Sequence, residues 1–113
     1  MKHIIVSILF CLFSSTIFAE SLPAVTVYKS KYCGCCGLWV KHMENNGFSV
    51  TVIETEALNE IKIKYNLPPE LASCHTAIIG NYVVEGHTPA SSIKHFLKDT
   101  PKDAIGLAVP GMP

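Results

Sequence analysis

The chain is 113 residues long and carries 9 lysines, no arginine and 9 acidic residues, for a formal net charge of zero. It therefore lacks the basic surface that nucleic acid requires and the bidentate side chain favoured for phosphate. Its 5 cysteines and 5 histidines point instead to thiol and metal chemistry.

Met1-Lys2-His3 opens the chain, an apolar run follows from Ile4 to Phe18, and Ala19-Glu20-Ser21 comes next. A basic start, an apolar stretch and a small residue are the pattern of a secretory signal peptide, with cleavage expected after Ala19. The run is shorter than the roughly 20 residues a span requires, so no membrane span is expected after cleavage. Residues 1–19 are read as the signal peptide, which would take Cys11 with it. Residues 20–113 are read as one small domain with a single modest core. Loss of Lys2 leaves 8 lysines against 9 acids, a net charge of −1. The expected destination is the periplasm, where disulfides persist. Four cysteines remain there, and four thiols allow three full pairings that sequence alone does not distinguish. Three of them crowd into Cys33-Gly34-Cys35-Cys36. Thiols so clustered staple little of the chain and suit a site better than a framework.

Ala24–Lys29 alternates and is rich in β-branched residues, which predicts a strand. Ser30–Cys35 reads as a loop. A helix is predicted from about Cys36 to Asn46, with Cys36, Trp39, Val40 and Met43 on one face and Gly47 as its left-handed C-terminal cap. Phe48–Ile53 is a second alternating strand. A second helix is expected from about Thr55 to Tyr65, with Ala57, Leu58, Ile61 and Tyr65 inward. Pro68-Pro69 breaks the pattern and opens a short turn over Glu70–Ala72. Ser73-Cys74-His75 is a loop leading into a third strand, Thr76–Ile79. Gly80-Asn81 turns the chain into a fourth strand, Tyr82–Val84. After a second turn at Gly86-His87, Thr88 is expected to cap a last helix with Pro89 in its first position. That helix would bury Ile93, Phe96 and Leu97. Ala104–Pro113 reads as an apolar tail.

The fold class is therefore α/β, in the order β-α-β-α-β-β-α. A parallel β-α-β opening and a closing hairpin make a central mixed four-stranded sheet. This order matches the thioredoxin/glutaredoxin architecture, in which the cysteine motif falls between the first strand and the first helix.

Cys33 and Cys36 have the spacing of a redox pair. A thiol at a helix N-terminus faces unpaired N–H groups and the positive end of the helix dipole, and both favour the thiolate. Cys35 is one thiol more than a dithiol reaction needs. Neighbouring helical residues project about 100° apart, so Cys35 and Cys36 suit bridging between metals better than tight chelation of one. Thioredoxin-like folds usually carry a cis-proline in the loop before the third strand. Here Cys74-His75 stands in that place, which would bring a fourth thiol and an imidazole over Cys33 and Cys36. His42 on the first helix and His87 in the turn before the last are further candidate ligands. Met43 reads as core, His95 as a solvated helix position, and Met112 as a thioether in the tail. Closely packed thiolates that can bridge favour Cu(I), while thiolates also suit Zn(II). The candidate metal set is thus Cys33, Cys35, Cys36, Cys74, His75, His87 and His42.

The segments Val27–Val40 (VYKSKYCGCCGLWV), Pro68–Ala77 (PPELASCHTA), Tyr82–His87 (YVVEGH) and Gly106–Pro113 (GLAVPGMP) resemble the small exported metal-binding proteins grouped as domain of unknown function 411. The resemblance covers nearly all of residues 20–113. It implies a thioredoxin-like fold, a periplasmic address and copper binding through the cysteines. The expected partners are copper ions and other periplasmic copper-resistance proteins. Three readings follow: a copper-binding protein of copper resistance, holding Cu(I) in a multinuclear thiolate cluster; a thiol-disulfide or copper-coupled oxidoreductase using Cys33 and Cys36; or a metal-free module stabilised by disulfides.

Overall fold

The computed structural model describes residues 14–16 and 21–109. The expected cleavage point after Ala19, Cys11 and Met112 lie outside the described residues.

The order of elements is β1 Val25–Lys29, α1 Gly34–Asn45, β2 Val50–Glu54, α2 Leu58–Lys64, a 3-10 turn Pro69–Leu71, β3 His75–Ile79, β4 Tyr82–Glu85, α3 Ala90–Lys98 and β5 Gly106–Ala108. The strands form one mixed sheet in the order β2-β1-β3-β4-β5. β1 pairs parallel with β2 and antiparallel with β3, with Tyr28 opposite Thr76 and Lys29 opposite His75. β3 and β4 form the antiparallel hairpin, with Thr76 opposite Glu85. The predicted β-α-β-α-β-β-α series is present, and the sheet is mixed as expected.

The sheet has five strands rather than four. Residues read as a tail add β5, parallel to β4 and in register with Val83, Val84 and Glu85. This pairing depends on Gly106, because a Cβ there would overlap the carbonyl of Val83. A three-residue strand entered through glycine has no alternation to announce it.

The sheet is covered on both faces. Val25, Val27, Ala77, Ile79 and Val84 pack with Trp39, Val40 and Met43 of α1 and with Ala90 and Ile93 of α3. Met43, Ile79 and Ile93 are completely buried, and each such side chain contributes roughly 1.5–3 kcal/mol of transfer free energy. Met43 is core, as expected. Tyr82 and Phe96 meet edge to face, with ring centroids 5.0 Å apart. The opposite face carries Thr76 and Glu85 and receives α2 through Lys62.

Four local expectations are corrected. α1 begins at Gly34, so Cys35 belongs to its first turn and not to the preceding loop. β2 does not bury one side of its alternation: Val52 and Ile53 are both exposed, and the strand lies at the edge of the sheet. In α2 the buried residue is Lys62, while Ala57, Leu58, Ile61 and Tyr65 are only half-buried. Thr88 does not cap α3; its hydroxyl donates to the carbonyl of Glu85 at 3.2 Å. The C-terminal end of α1 is as predicted. Gly47, at φ +91°, donates to Glu44 O while Phe48 N donates to Met43 O, both at 3.1 Å. These are the paired bonds of a Schellman cap.

Candidate metal centre

The start of α1 and the start of β3 bring the cysteines together. α1 follows directly from the turn that ends β1, with Cys33 N donating to Ser30 O at 3.1 Å. Cys33 flanks the helix, and Cys35 and Cys36 lie in its first turn. β3 lies beside β1 in the sheet, so the residue that enters it, Cys74, arrives over the same helix end.

One sulfur from each of Cys33, Cys35, Cys36 and Cys74 falls in a group whose members all lie within 4.8 Å of one another. Cys36 is completely buried and the other three are half-buried. Cys33 and Cys36 are joined by a disulfide, with Cα atoms 5.6 Å apart. The sulfur of Cys35 lies 3.7 Å from that of Cys33, and the sulfur of Cys74 lies 3.6 Å from that of Cys36. Burial and then the nearby Cys35 push the Cys74 thiol above its ordinary range.

Cys74 also belongs to a second group with His75 and His87, again within 4.8 Å. His75 is completely buried. Its Nδ1 lies 3.9 Å from the Cys74 sulfur. Its ring lies between Trp39, at a centroid distance of 4.6 Å, and His87, at 5.4 Å. Trp39 is held in turn by its indole N–H, which donates to Thr88 O at 2.8 Å. Burial foremost, and then His87, lower the pKa of His75 to about 4. Its imidazole is therefore neutral at neutral pH, the form that ligates a metal. The Nε2 atoms of His75 and His87 are buried and have no hydrogen-bond partner among the described residues. Buried polar atoms are normally paired, so unmatched ring nitrogens on the two histidines grouped with Cys74 fit a soft cation.

His42 is placed elsewhere. It is exposed on α1, and its Nε2 accepts the backbone N–H of Ala90 at 3.0 Å. It thereby satisfies the first turn of α3, the task that the sequence assigns to Thr88. With His87, Leu38, Trp39 and Pro89 it lines an open cleft of about 300 Å³. His95 is exposed on α3, as expected.

A buried polar network below the sulfurs has no counterpart among the sequence expectations. Glu85 is completely buried. It pairs with Lys62 at 2.5 Å and accepts the Thr76 hydroxyl at 2.7 Å and the Ser73 N–H at 3.3 Å. Lys62 also donates to Thr76 Oγ1 at 2.8 Å and to Ser73 O at 3.1 Å.

A family model described as a protein of unknown function, DUF411, matches residues 71–113. Two solved structures of a copper resistance protein, CopG, are similar over most of the chain. Form 1 is 40% identical, covers 82% of this chain and 73% of its own, and superposes with a TM-score of 0.76. Form 2 is 41% identical, covers 83% and 73%, and has a TM-score of 0.77. No curated protein matches significantly. Among the described residues, no helix is long and apolar enough to cross a membrane.

Proposed function

The chain belongs to the DUF411 family of CopG-like proteins, and from that premise we propose that it is a periplasmic copper-binding protein acting in copper resistance. Cys33, Cys35, Cys36 and Cys74 are its thiolate ligands, with His75 and His87 completing the pocket. The observation that carries this reading is the gathering of four sulfurs within 4.8 Å from two distant segments. Thiolates select soft ions, and a compact set able to bridge suits Cu(I), including more than one ion. Residues 1–19 act as an export signal, which delivers residues 20–113 to the compartment where such a protein meets copper.

The bridge between Cys33 and Cys36 sets a condition. Four thiolates form only after two electrons enter that disulfide from a reductant such as a dithiol. The experiment is an anaerobic Cu(I) titration of reduced protein against a competing chelator, with metal analysis. Tight, stoichiometric binding that falls in Cys35→Ser and in Cys74→Ser is expected. Binding no greater than that of a variant lacking all four cysteines would overturn the reading.

The disulfide itself favours a second reading, in which Cys33 and Cys36 exchange electrons with other thiols or couple them to copper. Metal-free protein that turns over a disulfide substrate, and loses this in Cys33→Ser and Cys36→Ser, would favour the oxidoreductase. Absence of turnover beside intact copper binding would leave the copper carrier alone.

A further inference from the structure

Buried ion pairs are poor sources of stability, because desolvation offsets most of their attraction. Their better-attested use is to select one geometry over others. The Lys62–Glu85 pair has a specific target. Lys62, from α2, accepts no partner but donates to Ser73 O at 3.1 Å; Glu85, from β4, accepts Ser73 N–H at 3.3 Å. Both backbone polar atoms of Ser73, the N–H of one peptide link and the carbonyl of the next, are thus held by one ion pair. Thr76 in β3 joins the two charges, donating to one carboxylate oxygen and accepting from the ammonium. Ser73 immediately precedes Cys74, and neither residue belongs to a strand or a helix. Sheet pairing takes over only at His75. The backbone leading to the Cys74 sulfur is therefore fastened by side chains. The same ion pair also docks α2, whose one completely or nearly buried residue is Lys62, at 8% exposure.

We propose that Lys62 and Glu85 are positioning residues for Cys74, holding the Ser73 backbone so that the Cys74 sulfur meets Cys36 across the pocket. The consequence for copper rests on the reading of Cys74 as a ligand; the consequence for the sulfur–sulfur approach does not. Substituting groups that orient ligands commonly lowers metal affinity by about 10–100-fold, and misplacing a reacting atom by about 1 Å costs a comparable factor.

The test has a copper-free arm and a copper arm. In a Cys33→Ser/Cys35→Ser background, the Cys36–Cys74 disulfide is equilibrated with reduced and oxidised glutathione and mapped by mass spectrometry. This measures the effective concentration of one thiol at the other. Glu85→Gln and Lys62→Met are expected to lower it by at least about tenfold. In the four-cysteine protein they are expected to lower Cu(I) affinity by about 10–100-fold and to shift the thiolate-to-copper absorption. Ile93→Val, a core change away from Ser73, supplies the comparison: it should lower thermal stability and move neither readout. The proposal is overturned if Glu85→Gln and Lys62→Met behave like Ile93→Val. Should both fail to fold, Thr76→Val and Thr76→Ser decide the matter. Loss of effective concentration in Thr76→Val with recovery in Thr76→Ser supports positioning, and equal values in the two overturn it. A fall in effective concentration with unchanged copper affinity upholds the positioning and removes Cys74 from the copper ligands.

Discussion

His75 should make the disulfide form lose stability in acid, by an amount the structure sets. Its ordinary pKa of 6.5 falls to about 4 in the fold. Burial is the main cause; His87, Lys62 and Lys29 add positive charge nearby, and a backbone contact with Gly86 opposes them. Between those two values the unfolded chain binds a proton that the folded chain refuses. Stability is therefore fully present above about pH 6.5 and is lost as the pH falls toward 4. Linkage gives a loss of roughly 1 kcal/mol near pH 5.5 and roughly 2 kcal/mol near pH 4.5, relative to neutral pH. The assay is urea unfolding of the metal-free disulfide form at a series of pH values, on wild type and His75→Phe. Phenylalanine keeps an aromatic ring against Trp39 and removes the titrating group. The difference between the two proteins should follow the calculated curve, since the remaining acid-sensitive groups are common to both. Equal losses from pH 7.5 to 4.5 in both proteins would show that His75 does not carry the acid sensitivity.

His42→Ala should leave the Cu(I) stoichiometry unchanged, because the His42 Nε2 is engaged by Ala90 N–H. It should cost about 1 kcal/mol in urea unfolding, the typical net worth of one such bond; a lost equivalent of copper would return His42 to the ligand set. Gly106→Ala should detach β5, because the added Cβ would overlap the Val83 carbonyl. The expected cost is about 1–3 kcal/mol, with faster hydrogen exchange at Val83 N–H, which donates to Ile105 O at 3.0 Å. Unchanged exchange there would show that the strand tolerates a side chain.

What was legible in the sequence was local or followed from topology. The Cys33-Gly34-Cys35-Cys36 run sits between a strand and a helix whose patterns are clear, so its place at the helix start could be read directly. The approach of Cys74 and His75 was expected from the thioredoxin-like order of elements, and the structure delivers it by setting β3 beside β1. The Lys62–Glu85 network was not legible, because its partners are 23 residues apart in sequence. Pattern reading sends charged residues to solvent, and only tertiary structure reveals that each has the other. The bond between His42 and α3 was not legible for a related reason. Thr88-Pro89 has the form of a helix start, yet the Thr88 hydroxyl turns to Glu85 O, and a histidine from another helix satisfies α3.

The two states of the pocket are alternatives, because the same sulfurs cannot both bridge each other and ligate copper. With the Cys33–Cys36 disulfide in place, burial favours a neutral Cys74 thiol. The same burial has the opposite effect once a cation is present. A bound metal supplies the charge that the low-dielectric surroundings lack, and a coordinating thiol gives up its proton outright. Burial therefore penalises the bare thiolates more than the metal complex, in which the cation offsets part of their charge. It also disfavours strongly hydrated ions, which must shed water to enter, relative to a soft monovalent ion that thiolates bind well. On the copper reading, the half-buried setting of three sulfurs and the complete burial of Cys36 and His75 thus contribute to selectivity. The disulfide decides when that selectivity is available, since two electrons must arrive before four thiolates exist to receive the ion.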